Sequence, residues 1–394
     1  MNYILFDDSL SETLKPLTYT RPVCDIRVGI MTIREKWEKL LGVKTSTLTA
    51  DYLSVKYPME MSDEMMLING SICPNEDLVK QIKKMKTGYT LVTKGSEEVI
   101  AMYKTKEEFL SEEEENSEKI EYKGKCTRIY SLASIFLLNG EEIRKDFDIL
   151  TKGRKSQRIS DTNKVLGDNI FVEKGAKIEC ATLNSKTGPI YIGKNCEVME
   201  NSVIRGPFAM GEHAIVKLSA KIYGNTTIGP YCKVGGELED VVMLAYSNKA
   251  HDGFFGHSVI GEWCNIGADS NASNLKNTYE EAKLWSIEHR KFEPTGTIFC
   301  GTIMGDHSKC GINTMFNTGT VIGVSSNIFG HGYQRNFFPS FAWGGNNGIR
   351  VYDIEKAIEV AEIVEKRRNV EMTDDDKRIL LHVYRMTLNS KVRR

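Results

Sequence analysis

The feature that most constrains this fold is an apolar residue that recurs every six positions through the middle of the chain. The longest series is Ile192, Val198, Ile204, Met210, Val216, Ile222, Ile228 and Val234, and shorter series with the same period lie on both sides of it. At an apolar frequency of about 40%, such a run arises by chance on the order of once in a thousand trials. The period therefore reflects a repeated structural unit.

Small residues complete the repeat. Glycine often follows the apolar residue, as at Gly193, Gly211 and Gly229, and a small residue often stands four positions after it. One inward aliphatic side chain followed by a tight turn predicts short strands, three of which close a triangular coil. The 33 glycines, against only 9 prolines, fit such turns. We predict a parallel β-helix of hexapeptide repeats, which is left-handed in the known families with this repeat.

Three stretches do not fit the six-residue register. They are residues 184–189, 238–256 and 275–299. In a solenoid, insertions project as loops from one face and often build the binding site. We therefore expect the functional residues of the β-helix there.

The remaining chain divides into two further segments. Residues 1–150 alternate apolar runs at 3–6, 65–68 and 89–93 with helical stripes, which predicts an α/β, Rossmann-like domain with buried parallel strands. The acidic run at 112–115 is interpreted as a solvated loop. The β-helix is expected over 151–346. Residues 347–394 are predicted to form two helices that pack back on the solenoid, and Thr373 with Asp376 resembles a helix start.

Composition excludes several classes of protein. The net charge of −1 and pI near 6.7 give no basic surface for nucleic acid. No run approaches the roughly 20 apolar residues of a membrane span, and no secretory signal is apparent. The nine cysteines include no CxxC pair, which argues against a disulfide framework or a structural zinc site. We expect a soluble, cytoplasmic protein.

One stretch, residues 249–268 (KAHDGFFGHSVIGEWCNIGA), resembles a known signature. It is similar to the acetyltransferase motif of the bifunctional N-acetylglucosamine-1-phosphate uridyltransferase/glucosamine-1-phosphate acetyltransferase family, and residues 206–209 also match a segment of that family. The resemblance implies acetyl-CoA as cosubstrate and a homotrimer. It also implies the following roles: His251 as general base, Lys249, Phe254 and Asn265 in substrate binding, and Ala268, Asn274 and Leu275 in binding acetyl-CoA.

The implied role of His251 is chemically sensible, because an amine must lose a proton to attack a thioester and imidazole titrates near neutral pH. The alternative is a loop histidine bonded to Asp252. The sequence also departs from the motif, with Phe254 in place of a tyrosine and His257 in place of an aspartate. Acidic residues Glu237, Glu239 and Asp240 stand near an expected lysine, which predicts weaker binding of a sugar phosphate, an altered acceptor or lost activity.

No metal ligand is assigned from the sequence. Three histidines, at 251, 257 and 289, lie in or near the register breaks, but they lack the close spacing of a metal site.

The N-terminal segment resembles sugar-phosphate nucleotidyltransferases through residues 16–22 (PLTYTRP) and through Asn69-Gly70 after an apolar run. The resemblance implies that Arg21, Asn69 and Gly70 bind substrate, with Mg²⁺ only if this domain is active. The glycine-rich loop after the first strand is missing, and Val23 and Ser71 replace the expected lysine and metal-binding aspartate. Asp7, Asp8 or Asp25 remain alternative metal ligands.

Three functions remain open. The first is acetyl transfer to an amino sugar phosphate or nucleotide-linked amino sugar. The second is a sugar-1-phosphate nucleotidyltransferase with an altered phosphate loop, in which the β-helix mainly supports assembly. The third is a noncatalytic protein that binds sugar nucleotides. In each case, the partner is a small sugar phosphate or nucleotide sugar.

Overall fold

The computed structural model describes residues 1–111 and 117–391, so the acidic run at 112–115 lies outside the described residues. Packing divides the chain into two compact units. The N-terminal unit comprises Met1–Leu14, Thr20–Ile26 and Met31–Tyr130. The solenoid unit comprises Lys15–Tyr19, Arg27–Ile30 and Ser131–Arg394.

The N-terminal unit contains a six-stranded sheet in the order β2-β1-β3-β6-β5-β7, together with a small β4-β8 ladder. The strands are β1 (Asn2–Phe6), β2 (Thr45–Leu48), β3 (Glu64–Asn69), β4 (Ile72–Cys73), β5 (Tyr89–Thr93), β6 (Val99–Thr105), β7 (Glu118–Tyr122) and β8 (Thr127–Arg128). The α/β class is confirmed. The sheet is mixed rather than parallel throughout, because the short connection between β5 and β6 makes them an antiparallel hairpin and places β6 between β3 and β5.

The helices of this unit cover the sheet as the apolar stripes predict. They are α1 (Leu10–Thr13), α2 (Ile33–Leu41), α3 (Asp51–Ser54), α4 (Glu76–Ile82) and α5 (Lys106–Leu110), with a 3₁₀ turn at Val23–Asp25. A capping box between Thr32 and Glu35 begins α2. The indole of Trp37 is fully buried and donates to the carbonyl of Ile72 at 2.8 Å, which fixes α2 against the β4 region.

Helix α6 (Leu132–Thr151) belongs to the solenoid unit, although the sequence-based border at residue 150 counts it with the N-terminal domain. Its Asn139 amide donates to the carbonyl of Asn225 at 2.8 Å. Ile143 and Phe147 pack in one apolar cluster with residues of the first coils. The helix therefore covers one side of the solenoid.

The β-helix is confirmed, and its strands form three faces. The first face contains β11 (Lys177–Ile178), β14 (Glu197–Val198), β17 (Ile215–Val216), β20 (Lys233–Val234), β22 (Asn248–Lys249), β28 (Lys309–Cys310), β31 (Asn327–Ile328), β33 (Ala342–Gly345) and β34 (Gly348–Val351). The second contains β10 (Ile170–Val172), β13 (Ile190–Ile192), β16 (Phe208–Met210), β19 (Thr226–Ile228), β27 (Thr302–Met304), β30 (Thr320–Ile322) and β32 (Phe337–Phe338).

The third face contains β9 (Lys164–Leu166), β12 (Thr182–Asn184), β15 (Val203–Arg205), β18 (Lys221–Ile222), β24 (Asn271–Ala272) and β29 (Met315–Phe316). Two longer strands, β21 (Glu237–Met243) and β23 (Phe254–Ile260), bend from the third face onto the second. Ile192 pairs with Met210, which in turn pairs with Ile228, so a regular coil is 18 residues long. The predicted aliphatic residues fill the interior column.

The register breaks have different structural origins. Residues 275–299 leave the solenoid as predicted and contain the hairpin β25 (Lys283–Ser286) and β26 (Lys291–Pro294). The coil through 184–189 is lengthened, since Val172 pairs with Ile192. The prediction of a projecting loop at 238–256 is wrong. Ile228 pairs with Met243, so that coil shortens to 15 residues and the chain stays within the solenoid.

The C-terminal segment forms the two predicted helices, α7 (Ile354–Lys366) and α8 (Asp374–Lys391). Thr373 caps α8, because its hydroxyl accepts from the backbone N–H of Asp376 at 3.2 Å. The ring of Tyr384 makes an edge contact with Phe341 of the solenoid, so α8 packs back as predicted. Among the described residues, no helix combines the length and apolar character needed to cross a membrane.

Candidate functional site

The motif stretch forms a short loop at one edge of the solenoid. Residues 250–253 connect β22 to β23. Gly253 has φ of +107°, and a Cβ there would lie 2.1 Å from the carbonyl oxygen of Ser270. Only glycine fits this close approach of two coils, so the loop is held tightly against the next coil.

Lys249 anchors this loop from inside the solenoid. It occupies the interior column, pairing with Val234 below, and is 2% exposed. Its Nζ donates to the carbonyls of Gly235 at 3.1 Å, His251 at 2.6 Å and Asp252 at 3.2 Å. Burial lowers the pKa of Lys249 to about 8. The three hydrogen bonds use all three ammonium donors on backbone oxygens.

His251 lies between two cavities. The ladder cleft has a volume of about 680 Å³ and is lined by His251, Asn265, Ala268, Tyr246 and Trp263 among others. The edge groove has a volume of about 630 Å³ and includes His251 and Ala268 again. The His251 side chain is exposed. The structure thus brings His251, Asn265 and Ala268 together.

Asn265 belongs to a line of outward-facing residues on the first face. The strand register places Lys233, Asn248, Asn265 and Lys309 one above another, and we call these four residues the outward ladder. The amide nitrogen of Asn248 lies 3.5 Å from Oδ1 of Asn265. Because adjacent coils stack about 4.8 Å apart, these side chains form one continuous polar strip beside His251.

The other residues named from the motif lie outside both cavities. Phe254 begins β23, and its backbone N–H donates to Asn271 Oδ1 at 2.8 Å. The Asn274 amide contacts Nδ1 of His257 at 3.0 Å, and Leu275 pairs with Phe299. Within one chain, these three do not join His251, and their roles remain predictions.

His257, which stands in place of the motif aspartate, forms a second histidine cluster inside the solenoid unit. Its Nε2 lies 3.9 Å from Oδ2 of Asp240, and its ring stacks on Phe299 with centroids 5.0 Å apart. Burial lowers the pKa of His257 and raises that of Asp240. Both effects favour the uncharged forms, so this cluster contributes packing and hydrogen bonds.

The N-terminal motif residues lie where β3 ends. The Asn69 amide donates to Oδ2 of Asp8 at 2.8 Å, and its oxygen accepts from the hydroxyl of Ser71 at 2.6 Å. The Arg128 guanidinium pairs with Asp8 and donates to the Ser71 hydroxyl at 2.8 Å. Asp8, Asn69, Ser71 and Arg128 therefore satisfy one another.

These residues do not fit a magnesium ion. Asp8 is paired with a cation, and no group of three His, Cys, Asp or Glu side chains able to hold a metal occurs among the described residues. Burial raises the pKa of Asp7 to about 6, and Asp25 pairs with Arg34 at 2.6 Å. Arg21 is only 4% exposed. The backbone N–H of Gly70 donates to the carbonyl of Phe6 at 2.8 Å.

Residues 3–155 match the family described as sugar nucleotidyl transferase. Two curated relatives carry the name bifunctional protein GlmU. The one from Methanocaldococcus jannaschii is 27% identical over 29% of this chain and 26% of its own length. The one from Methanococcus aeolicus is 30% identical over 35% of this chain and 29% of its own length.

The chain is similar to the bifunctional GlmU proteins over part of its length, and its N-terminal segment matches the sugar nucleotidyl transferase family. The resemblance stated from the sequence is thereby confirmed, and the matching family is a transferase family by its description. The chain spans less than a third of the length of the curated relatives it matches.

Two solved structures of acyltransferases also align with this chain. The polySia-specific acetyltransferase NeuO aligns at 18% identity and a TM-score of 0.22, over 58% of this chain and 100% of its own. A UDP-N-acetylglucosamine acyltransferase from Campylobacter jejuni aligns at 11% identity and a TM-score of 0.25, over 57% of this chain and 95% of its own. At these TM-scores, neither alignment supports a conclusion.

The structure also places residues beside His251 that the sequence analysis missed. Lys233, Lys309, Arg367 and Arg368 line the ladder cleft. Lys233 and Lys309 each stand immediately before an interior residue, so the register of the repeat contains the signal for both. The two arginines follow α7, and no repeat pattern indicates their position.

Proposed function

We propose that this protein transfers an acetyl group from acetyl-CoA to the amine of an amino sugar phosphate or a nucleotide-linked amino sugar. His251 acts as the general base. The observation that carries the proposal is the position of His251, which is exposed on a loop anchored by Lys249 and lies between two cavities. Two cavities that meet at one base suit a reaction with two substrates.

The chemistry assigns the following steps. The His251 imidazole accepts a proton from the sugar amine, and the amine lone pair forms a new bond to the thioester carbon. The carbon–sulfur bond then breaks, and the CoA sulfur leaves and takes up the proton. Asn265 and Ala268, which share the ladder cleft with His251, bind the amino sugar and acetyl-CoA respectively.

The proposal includes a homotrimer with sites between subunits. Phe254, Asn274 and Leu275 contribute to a site only from a neighbouring copy, since they lie outside both cavities of their own chain. Exposed apolar side chains on the His251 edge support this arrangement. Leu218 lines the edge groove and is 61% exposed, and Ile312 lines the ladder cleft and is 71% exposed.

The experiment is a thiol-release assay with acetyl-CoA and glucosamine 1-phosphate, followed by other amino sugars and nucleotide-linked amino sugars. We expect His251→Ala to lose about 100-fold or more in kcat, the usual contribution of a general base. His331→Ala is the matched control, because His331 is also exposed in a loop and lines neither cavity.

Equal turnover by wild type and His251→Ala would exclude the general-base role. If wild type releases no thiol with any acceptor yet binds one of them saturably, the protein is a noncatalytic binder.

A second candidate is sugar-1-phosphate nucleotidyl transfer, which the family match over residues 3–155 favours. Arg21, Asn69 and Gly70 would then bind the substrate. The mutual pairing of Asp8, Arg128 and Ser71 weighs against it, since phosphoryl transfer depends on free positive charge and a cation. The test measures pyrophosphate release from each nucleoside triphosphate with Mg²⁺ and a sugar 1-phosphate. Release that Arg21→Met abolishes, with unchanged melting temperature, would support this candidate.

A further inference from the structure

The two ends of the excursion at 275–299 meet at His257, on β23. Where the chain leaves the solenoid, the Asn274 amide nitrogen lies 3.0 Å from His257 Nδ1. Where the chain returns, the Phe299 ring stacks on the imidazole with centroids 5.0 Å apart. The backbone N–H of Gly301 then donates to the carbonyl of His257 at 2.9 Å. One residue of the solenoid therefore contacts both ends of the excursion.

A carboxylate lies on the other side of the same imidazole. The register of β21 against β23 places Asp240 one coil before His257. Nε2 of His257 lies 3.9 Å from Oδ2 of Asp240, which is just beyond hydrogen-bond distance. The second carboxylate oxygen, Oδ1, accepts from the Asn225 amide at 2.9 Å. The carboxylate is thus held in position close to the ring.

The protonation state of the ring decides which of these two partners it can bind. A neutral imidazole has one donor and one acceptor. With the Asn274 nitrogen facing Nδ1, Nδ1 is the acceptor, and the proton lies on Nε2. A second proton converts Nδ1 into a donor, so the bond from the Asn274 amide is lost. The charged ring instead forms a charge-assisted hydrogen bond to a carboxylate, and Asp240 is the carboxylate that faces Nε2.

The surroundings of the ring favour the neutral form. Burial lowers the pKa of His257, and the negative charge of Glu239 acts in the opposite direction. The carboxylates that face the ring, Glu239 and Asp240, both come from β21. Helix α6 presents the edge of the Phe136 ring, with centroids 5.7 Å apart. The ring is therefore held by apolar contacts on its α6 side and by charge on its β21 side.

The sign of the pH effect follows from these shifts. Because the pKa of His257 lies below its ordinary value of 6.5 in the folded protein, protonation works against the arrangement around it as the pH falls through that lowered pKa. Asp240 has the opposite sign, since burial raises its pKa and protonation favours the folded form. Its window extends from the raised pKa down to the ordinary value of 3.8.

This pair is a departure of the chain from the acetyltransferase motif. The motif has an aspartate where His257 stands, and here a carboxylate, Asp240, lies one coil earlier. Both residues have φ close to +50°, at the same corner of successive coils. A titratable ring has thus been placed between a carboxylate and the base of the excursion.

We propose that His257 is a positioning residue that responds to protons. As a neutral ring it holds the excursion through Asn274, and as a charged ring it turns to Asp240 and releases Asn274. Under the proposed function, Asn274 and Leu275 contact acetyl-CoA, so their release raises the KM for acetyl-CoA. That consequence rests on the proposed function, whereas the release itself does not.

Hydrogen exchange of the full chain, measured by mass spectrometry between about pH 7.5 and pH 4.5, tests the release. The variant is His257→Asn, which keeps an acceptor near the position of Nδ1, cannot be protonated, and tolerates the φ of +48°. Comparing both proteins at each pH cancels the intrinsic pH dependence of exchange. We expect peptides covering 275–299 to exchange alike at pH 7.5 and about fivefold faster in wild type at low pH, because one hydrogen bond is lost.

The midpoint of this change should lie below 6.5. Peptides covering β16 and β19 should exchange alike in both proteins, which shows that the solenoid stays folded. His289→Asn is the matched control, because His289 lies in the same excursion, is exposed and contacts Glu293 at 2.9 Å. It should keep the wild-type pH dependence.

A second variant, Asn274→Ala, removes the donor and leaves His257 in place. Its excursion should exchange at the fast rate at every pH. Wild-type exchange in Asn274→Ala at pH 7.5 would show that this bond does not hold the excursion and would overturn the inference.

Thiol release then tests the consequence for the enzyme. Relative to His257→Asn, the wild-type KM for acetyl-CoA should rise by about the same factor of five at low pH. Protonation of His251, which acts as the base, lowers kcat in both proteins and cancels in this comparison.

The inference is overturned if wild type and His257→Asn exchange alike at every pH, or if His289→Asn removes the pH dependence as well. A pH-linked change in exchange without thiol release would support the role of His257 while contradicting the proposed acetyl transfer. Thiol release with no pH-linked change in exchange would do the reverse.

Discussion

The two units treat their polar residues in opposite ways. In the N-terminal unit, the side chains at the ends of β1 and β3 bind one another, with Asp8 held by Asn69 and Arg128, and Ser71 held by both of these. At the ladder cleft, His251 is exposed, and the surrounding cations have no carboxylate partner among the described residues. In the N-terminal unit, the polar side chains form a closed network, in which they bind one another. At the ladder cleft, they form an open network, in which they remain available to a ligand.

The difference shows where chemistry can take place. A group that binds or reacts must have donors, acceptors or charge that the protein itself does not use. The N-terminal unit has an α/β fold, and residues 3–155 match the sugar nucleotidyl transferase family. Its motif residues, however, form hydrogen bonds with one another. In the solenoid, Lys249 is committed in this way, since it holds the loop beneath His251, whereas the side chain of His251 is exposed.

The largest expected effect concerns Lys249, whose pKa burial lowers from 10.5 to about 8. Between these values, the unfolded chain keeps a proton that the folded chain has released, so the free energy of unfolding rises with pH across this window. Below pH 8, the full cost of burying the charge is present. At about 1.4 kcal/mol per pKa unit, the rise is about 3 kcal/mol. Urea unfolding at pH 7.5 and at about pH 10.5 should show it for wild type relative to Lys249→Met.

The same variant separates anchoring from substrate binding. If Lys249 only positions the loop, Lys249→Met lowers kcat by about tenfold with little change in KM, because a small displacement of a base is costly. A rise in KM at constant kcat would instead indicate that Lys249 binds substrate, as the motif implies. If the difference in the free energy of unfolding between wild type and Lys249→Met does not change between the two pH values, the proposed effect of burying the Lys249 charge is wrong.

A smaller effect is expected from opening the closed network. Arg128→Met leaves Asp8 without its cation and removes a donor from Ser71, which should destabilise the N-terminal unit by about 2 kcal/mol. Hydrogen exchange of peptides covering β3 and β8 measures this loss. Lys119→Gln is the control, since it breaks the exposed pair with Glu97 and should leave the stability nearly unchanged. Equal effects of the two variants would mean that the network is not a stabilising unit.

The hexapeptide period correctly predicted the β-helix and its interior column, because the side chains that fill a solenoid must recur with each strand. The prediction failed where a coil changed length. The step from Ile228 to Met243 is 15 residues instead of 18, so the six-residue count lost its phase and residues 238–256 were interpreted as a loop. In the true register, Lys249 falls in the interior column above Val234, and Asn248 stands directly above Lys233.

Other features depend on tertiary packing and have no local signal. The position of Arg367 and Arg368 at the ladder cleft depends on how α7 docks, and an amphipathic pattern gives the buried face of a helix but not the surface it covers. The enclosure of His257 depends in the same way on Phe299, which returns from the excursion at 275–299. Motif residues therefore located the His251 loop, while the charges that surround it required the structure.

The smallest expected effect tests whether the open edge is completed by a second copy. Leu218 is 61% exposed beside the edge groove, and burying it between subunits would contribute about 1 kcal/mol to association. Leu218→Ser should therefore raise the dissociation constant of the oligomer about fivefold in sedimentation equilibrium. Leu110→Ser is the matched control, because Leu110 is 59% exposed at the end of α5 in the N-terminal unit. Dissociation that is unchanged by Leu218→Ser, or equally weakened by both variants, would mean that the exposed leucine does not mark a subunit contact and that His251 works with the residues of one chain.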